Sequence, residues 1–296
     1  CPYVKSYDKS RGIIVIEING KDLELSIRKS VIENYNTYKA KISSINRSIE
    51  RALIELDRIK ERINKLKMET KLKSEIAATR VRRKKEWFEK YHWLITSSGF
   101  LVIGGRNAEQ NESIIRRYLG QKDILLHAEV HGGSVVILRT ENREADKNSL
   151  EEAAILAAVY SKAWKLGLGA INVFWVYGDQ VSLAPPPGEY LPHGAFMVYG
   201  KKNFIKNVPL ILAIGIEITK ENYPRIIIGP EKLVSQRAKF YAVIAPGEHN
   251  PERIARLILE KFMDKSGKYK VLVESIDIKD IMERIPGKSR IVKIDC

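Results

Sequence analysis

The stretch ILLHAEVHGGSVVILR, residues 124–139, decides how the central part of the chain folds. On a helix, its two histidines would lie on one face, as in metalloproteases. Apolar residues instead alternate with His127, Glu129 and His131, the period of two of a strand with one apolar face. Residues four apart on a strand are about 13 Å apart, too far for both imidazoles to reach one zinc ion. We therefore predict two strands, ILLHAEV and SVVILR, joined across the Gly-Gly pair.

Four roles stay open for these histidines: metal ligands together with Glu129, a catalytic pair, structural bonds within the sheet, or the polar row of a surface strand that touches a polyanion. The other histidines, at 92, 193 and 249, show no ligand spacing, and no nucleophile stands at a matching spacing. Glycine leaves backbone amides accessible to phosphate, and neutral histidine hydrogen-bonds to a base or stacks on it. We favour the polyanion-facing strand and expect no metal, no cofactor and no enzymatic activity.

The composition indicates a globular chain with a polyanionic partner. The 296 residues carry 51 basic and 36 acidic side chains, a net charge of +15, and 44% are hydrophobic. This charge favours nucleic acid, although a solvated surface has the same composition. The two cysteines, Cys1 and Cys296, form no disulfide framework, and the chain shows no signal peptide and no run of ~20 apolar residues. We expect a cytoplasmic protein without a membrane partner and, since no Met begins it, a fragment whose N-terminal half is missing.

The absence of glycine and proline from residues 21–98 predicts a long helix. Apolar residues within it recur at alternating spacings of three and four, the seam of a coiled coil. They are Ile42, Ile45, Ile49, Ala52, Leu56, Ile59, Ile63 and Leu66. Ser30 and Glu33 predict a capping box at the helix start. The seam fades at Thr70, where a turn begins or the partner helix ends, so an intramolecular hairpin, self-association and a separate partner helix all stay open.

After residue 91, short apolar runs bounded by glycine predict an α+β or mixed α/β fold with a mixed sheet. Strands are expected in HWLITSS, FLVIGG, INVFWVY and AFMVYG, and helices over residues 108–119 and 149–165. Further strands and helices beyond Val208 form either a smaller domain or an extension of the same sheet. We divide the chain into a linking segment (1–28), a coiled-coil arm (29–91), an α/β domain (92–207) and a C-terminal α/β region (208–296).

Three basic segments supply candidate nucleic-acid contacts. RVRRKK, residues 80–85, is a solvated helix end or a phosphate-contacting patch. In GGRNAEQ a strand leaves through two glycines and enters a helix, so Arg106 and the first helical amides would meet phosphate, although the segment is neither GxGxxG nor a P-loop. GKKNF, residues 200–204, combines paired lysines with an amide and an aromatic ring, in a solvated turn or an RNA-contacting surface.

Three segments, in this order, resemble the RNA-binding domain NFACT-R of the NFACT proteins: EKYHWLITSSGFLVIGGRNAEQNESIIRRYL, DILLHAEVHGGSVVI and WVYGDQVSLAPPPGEYLPHGAFMVYGKKNF. The match covers about residues 86–204, so the domain 92–207 is expected to be NFACT-R-like. The helical region beginning SVIENYNTYK is similar to the family's middle coiled coil. The region after Pro246 is similar to the C-terminal part of archaeal and eukaryotic members, and an archaeal member is expected.

The resemblance implies a non-enzymatic factor of ribosome-associated quality control. Such proteins bind a large ribosomal subunit that still holds peptidyl-tRNA, recruit tRNA and promote template-free C-terminal tailing of the stalled chain. The expected partners are therefore the rRNA of the large subunit and tRNA or peptidyl-tRNA. The alternatives are a metal-dependent nucleic-acid enzyme that uses His127, Glu129 and His131, and a coiled-coil protein-binding scaffold.

Some positions depart from the family pattern. Leu183 stands where a basic residue is usual, Pro186 where Ser or Thr is usual, Ala195 in place of Ser, and Tyr199 in place of Arg. The resemblance therefore places more of the phosphate contact on the pair Lys201 and Lys202.

The residues and the resemblance together predict a set of nucleic-acid contacts, in which the family's Arg, Gln and Asn of the GGR segment are included. The set is Arg80, Arg82, Arg83, Lys84, Lys85, Arg106, Gln110, Asn111, Arg116, Arg117, His127, His131, Gly132, Gly133, Gln180, Tyr199, Lys201, Lys202 and Asn203.

Overall fold

A computed structural model describes residues 3–82, 86–130, 132–185, 188 and 191–295, with the side chains of 76–82 left out. The chain divides into two compact units, Cys1–Thr70 and Lys71–Cys296. Among the described residues, no helix combines the length and the apolar character that a membrane span needs.

The first unit begins with a three-stranded antiparallel sheet that sequence reasoning missed. Its strands are β1 Val4–Asp8, β2 Ile13–Ile18 and β3 Lys21–Ser26, paired in that order. Every residue of β1 is exposed. The strand therefore lacks the buried alternating face by which a strand is recognised in sequence, and the segment treated as a linker contains regular structure.

One helix, α1 Val31–Arg82, extends over 52 residues, about 78 Å at 1.5 Å per residue. The predicted capping box is confirmed: the Ser30 amide donates to Glu33 Oε2 at 2.7 Å, and the Glu33 amide donates to Ser30 Oγ at 3.2 Å. The helix continues through Thr70, so no turn begins where the seam fades.

The seam of α1 is exposed. Its isoleucine and leucine side chains are between 44% and 58% exposed. An apolar stripe of this length is stable in water when a second helix covers it. Pairing through the seam, within one molecule or between molecules, stays a prediction.

The seam fades where α1 enters the second unit. Within that unit, Leu72 packs against Val271 and Leu272, and Lys73 Nζ lies 3.2 Å from a carboxylate oxygen of Glu274. The last turns of α1 therefore pack on a folded domain instead of on a coiled-coil partner, which accounts for the loss of the seam pattern.

The second unit contains a six-stranded sheet and a short two-stranded ribbon. The strands are β4 His92–Ile95, β5 Leu101–Gly104, β6 Ile124–Ala128, β7 Val136–Arg139, β8 Ala170–Tyr177, β9 Val181–Ser182, β10 Met197–Val198 and β11 Asn203–Pro209. The sheet has the order β11-β8-β6-β7-β5-β4, and β9 pairs with β10. The described pairings are all antiparallel, whereas a mixed sheet was expected.

Helices cover both faces of this sheet. α2 Ala108–Tyr118 contributes to one buried cluster, and α3 Lys147–Val159 contributes to the other. The single helix predicted over residues 149–165 is wrong, because the chain breaks at Tyr160 and Ser161. The Ser161 side chain accepts from the Ala163 amide and begins a second short helix, α4 Lys162–Lys165.

The C-terminal region forms its own sheet. Its elements are β12 Leu212–Ile218, β13 Pro224–Gly229, α5 Glu231–Arg237, β14 Phe240–His249, α6 Pro251–Lys265, α7 Lys270–Glu274, α8 Ile278–Met282 and β15 Ser289–Asp295, with the order β13-β12-β14-β15. Ile214 and Phe240 share a buried cluster with Leu126 and Ala157. The two sheets therefore share a core, and the boundary drawn at residue 207 lies inside β11. The α+β class is confirmed.

Candidate nucleic-acid interface

A cleft of about 1020 Å³ opens beside the ends of β5 and β6. Segments far apart in sequence line it: the start of α2, the loop after β6, the start of α4, the middle of β8 and residues 193–198. Six of the predicted contact residues meet there: Arg106, Asn111, His127, Gly132, Gly133 and Lys202. These six residues therefore lie close enough to contact one ligand, and their contact with nucleic acid stays a prediction.

The GGR segment forms a tight entry into α2. A Cβ atom on Gly105 would lie 2.2 Å from Asn111 Oδ1, so a side chain larger than hydrogen does not fit. The Asn107 side chain caps the helix by accepting from the Gln110 amide at 2.8 Å, and the Arg106 amide donates to Gln110 Oε1 at 3.1 Å. Gln110 thus holds the backbone of the turn, while Arg106 is left to line the cleft.

Asn111 braces the loop that follows β6. Its side chain is buried, with Nδ2 donating to the Gly133 carbonyl at 3.3 Å and Oδ1 accepting from the Val135 amide at 3.1 Å. The Ser134 hydroxyl adds a bond to the Gly105 carbonyl at 2.6 Å. Because both ends of its amide bond to this loop, Asn111 positions the loop, and the direct RNA contact predicted for it stays a prediction.

The loop after β6 differs from the predicted strand. β6 ends at Ala128, where the Val130 amide donates back to the Ala128 carbonyl at 2.7 Å and turns the chain. Leu125 is also fully buried, so both faces of β6 are covered and the predicted surface strand with one polar row is wrong. His131 lies outside the described residues.

Gly132 is favoured by its backbone conformation, and it lies against a lysine side chain. Its φ of +79° lies in the left-handed region, and a Cβ atom there would be 2.8 Å from Lys162 Cε. The loop therefore brings Lys162, from the start of α4, close to the backbone at the cleft.

Aromatic rings form one wall of the cleft around His127. The half-buried imidazole lies 5.7 Å from the ring centroid of Phe174 and 5.7 Å from that of Phe196. Lys202 Nζ lies 4.5 Å from the Phe174 centroid, which holds an ammonium group beside the rings by a cation–π interaction.

The floor of the cleft holds a buried imidazole among cations. His92 stacks on Tyr160 with ring centroids 3.5 Å apart. Burial, followed by the charges of Arg106 and Arg284, lowers the pKa of His92 well below its ordinary 6.5, so the ring is neutral near pH 7. Burial also raises the pKa of Tyr160 and lowers that of Arg284.

Cations outnumber acids along the lining. Arg106, Lys162, Lys165 and Lys202 line the cleft, and among the described lining residues Glu129 is the single acid. One Arg106 guanidinium nitrogen lies 2.9 Å from Glu283 Oε2. Sequence reasoning missed Lys162 and Lys165, because only the fold brings the start of α4 to the Gly-Gly loop. A cleft of this charge suits an anion.

Residues 90–200 match the family described as NFACT protein RNA binding domain. An archaeal protein from Methanocaldococcus jannaschii, named Archaeal Rqc2 homolog aRqcH, is 34% identical over 215 residues, which cover 72% of this chain and 30% of that protein. This chain belongs to the NFACT family.

Two further comparisons cover shorter stretches of the chain. The Drosophila melanogaster protein named Ribosome quality control complex subunit NEMF homolog is 46% identical over 135 residues, 45% of this chain and 14% of that protein. The C-terminal structure of the fibronectin/fibrinogen-binding protein from Streptococcus suis has a TM-score of 0.37 and 19% identity, over 57% of this chain and 59% of that one. The chain thus spans less than a third of the two named relatives.

The predicted contacts outside the cleft occupy several places in this NFACT chain. Gln180 is a brace, since Nε2 donates to the carbonyls of Tyr199 and Lys201 at 3.0 and 3.1 Å and Oε1 accepts from the Tyr177 amide at 3.0 Å. Arg117 and Lys201 are exposed, Tyr199 is half exposed, and Asn203 begins β11.

Two further groups of predicted residues lie away from the lining. Arg116 donates to Glu112 at 2.9 Å, and this bond is the first cause of a lowered pKa of Glu112, which also lies 2.9 Å from His193 Nδ1. Arg80 and Arg82 lie in α1 with side chains outside the description, and residues 83–85 lie outside the described ranges.

The metal-site alternative has no support among the described side chains, which leave out His131. Within them, no group of three or more His, Cys, Asp and Glu residues could hold a metal ion. Glu129 accepts from Asn172 Nδ2 at 3.1 Å, which ties the carboxylate to β8.

Proposed function

We propose that the cleft binds RNA and that the chain acts as an RNA-binding, ribosome-associated factor. The observation that carries this proposal is the convergence of Arg106, Lys162, Lys165 and Lys202 on one cleft with a single described acid in its lining. Phosphate contacts from such cations supply most of the affinity of a protein for nucleic acid and fix its orientation. The neutral His92 at the floor adds no charge.

The match to the NFACT protein RNA binding domain supports RNA as the polyanion. The names of the relatives support a role in ribosome quality control. The finer proposal is that the chain binds the rRNA of a large ribosomal subunit that holds a stalled peptidyl-tRNA, and helps to recruit tRNA for template-free C-terminal tailing.

Co-sedimentation with isolated large subunits tests this proposal. The wild type is expected to sediment with the subunits, and more of it with those that carry peptidyl-tRNA. Lys162→Glu combined with Lys202→Glu should remain in the supernatant. The matched control is Lys261→Glu with Lys265→Glu, which makes the same change in charge on exposed positions of α6.

The outcomes separate the parts of the proposal. A wild type that stays in the supernatant contradicts the ribosomal role. A cleft variant that sediments like the wild type places the contact elsewhere. Equal sedimentation with and without peptidyl-tRNA contradicts the preference for stalled subunits.

A second proposal concerns α1, whose exposed seam favours a helix as partner. Sedimentation velocity across concentrations is expected to show self-association that Ile49→Lys with Leu56→Lys abolishes. A wild type that stays monomeric at all concentrations would contradict pairing between copies.

A further inference from the structure

Three neighbouring strands place aromatic rings in a row on one face of the six-stranded sheet. His127 of β6 is paired with Phe174 of β8, and Phe174 is paired with Phe204 of β11. Residues directly opposite on adjacent strands project from the same face. The ring centroids are 5.7 Å apart for His127 and Phe174, and 6.5 Å apart for Phe174 and Phe204.

The row runs from the cleft to the molecular surface. His127 and Phe174 line the cleft, and Phe174 is only 9% exposed. Phe204, on the outermost strand, is 46% exposed. A large aromatic ring held half in solvent at the end of a buried row offers a flat apolar face to a ligand.

A cation accompanies the row. Lys202 Nζ lies 4.5 Å from the Phe174 centroid, two residues before Phe204 in the chain. Proteins bind single-stranded nucleic acid by combining aromatic rings, on which bases stack, with cationic groups that contact phosphate. A base inside a duplex is stacked on both faces and is not open to such a ring.

We infer that the row formed by His127, Phe174 and Phe204 selects unpaired RNA, with one base stacked on Phe204, its phosphate at Lys202 and the neighbouring nucleotide entering the cleft beside His127. This inference rests on the proposed RNA-binding function and narrows its ligand to single-stranded segments. The cleft volume of about 1020 Å³ is of the size of small-ligand sites.

The opposite face of the same strand provides a matched control. Tyr177 of β8 is also 46% exposed, but it is opposite Ile124 of β6, whose side chain belongs to the buried cluster on the other side of the sheet. Replacing Tyr177 with alanine therefore removes an aromatic ring that is as exposed as that of Phe204 and leaves the row of His127, Phe174 and Phe204 intact.

The test is fluorescence anisotropy on the full chain with a labelled 12-nucleotide RNA, free or annealed to its complement. The single strand is expected to bind at least about fivefold more tightly than the duplex, and Phe204→Ala to weaken single-strand binding at least about fivefold, the lower end for loss of one stacked base. Phe204→Tyr, which keeps a ring, and Tyr177→Ala should bind like the wild type. A strand of abasic sites should bind the wild type and Phe204→Ala equally.

Each outcome of this experiment either supports or overturns the inference. Equal affinity for duplex and single strand, or an unchanged affinity of Phe204→Ala, overturns the inference and leaves the proposed function intact. An equal loss in Tyr177→Ala, or a loss in Phe204→Ala on the abasic strand, assigns the effect to general destabilisation and also overturns it. Failure of the wild type to bind either RNA refutes the proposed function, and the inference falls with it.

Discussion

Replacing Asn111 with alanine tests whether this residue braces the Gly-Gly loop or contacts RNA. The substitution removes the acceptor for the buried Val135 amide at 3.1 Å and the donor to the Gly133 carbonyl at 3.3 Å. A buried group left without its partner costs about 1–3 kcal/mol, and the longer bond counts at the low end. We expect the free energy of unfolding to fall by about 3 kcal/mol, which for a domain of this size lowers Tm by roughly 6–12 °C.

Differential scanning calorimetry measures Tm, and RNA affinity is measured well below the transition. The control is Arg117→Ala, an exposed residue of the same helix, for which Tm should stay within about 1 °C, as is usual for surface positions. Asn111→Ala should also bind RNA more weakly, because the loop moves. If Tm is unchanged and only RNA affinity falls, Asn111 is a direct contact and the reasoning from its buried bonds is refuted.

Three further predictions follow from the cleft. Gly132→Ala and Gly167→Ala both place alanine at positive φ, at +79° and +71°, so each should lose about 1–2 kcal/mol in chemical unfolding. Only Gly132→Ala, whose Cβ would collide with Lys162, should also lose RNA affinity, and equal affinities would contradict this geometry. The lowered pKa of His92 means that the unfolded chain binds a proton there before the folded chain does. Stability should therefore fall as pH drops below about 6.5, by up to ~1.4 kcal/mol per pH unit. His92→Phe should flatten this dependence between pH 7.5 and 5.5, and equal slopes for His92→Phe and wild type would contradict it. Finally, anisotropy should show a larger loss of RNA affinity for Lys202→Glu, which lines the cleft, than for Lys201→Glu, which does not; the reverse order would contradict the assignment.

The local patterns predicted much of the fold. The period of two predicted a strand over residues 124–130, of which Ile124–Ala128 forms β6, and the capping box placed the start of α1. Both signals depend on neighbours in sequence. The period could not show that the sheet is covered on both faces, because Leu125 is buried by residues from other segments.

The missed elements lack such local signals. β1 has no buried residue, and the helix predicted over residues 149–165 keeps its apolar pattern across the break at Ser161, so periodicity alone does not reveal the cap. In both places the local structure depends on which residues meet in three dimensions. The sequence pattern alone does not distinguish the alternatives.

The candidate site was predictable in part. Arg106, His127 and Lys202 stand in recognisable segments and meet in the cleft. Lys162 and Lys165 stand in a short helix with no motif, and their place beside Gly132 depends on the packing of α4 against the loop. Asn111 was expected as a contact from the resemblance to the family, and Gln180 was in the same predicted set, whereas the structure shows both side chains hydrogen-bonded to the backbone.

The salt dependence of RNA binding tests the central claim most directly, since each phosphate contact releases counterions. For a single strand, the slope of log affinity against log salt changes by about 0.7 for each contact. Lys162→Glu with Lys202→Glu should reduce the steepness of the slope by about 1.4, while Lys261→Glu with Lys265→Glu should keep the wild-type slope. Equal slopes for the cleft variant and the wild type would show that the cleft does not bind the RNA backbone.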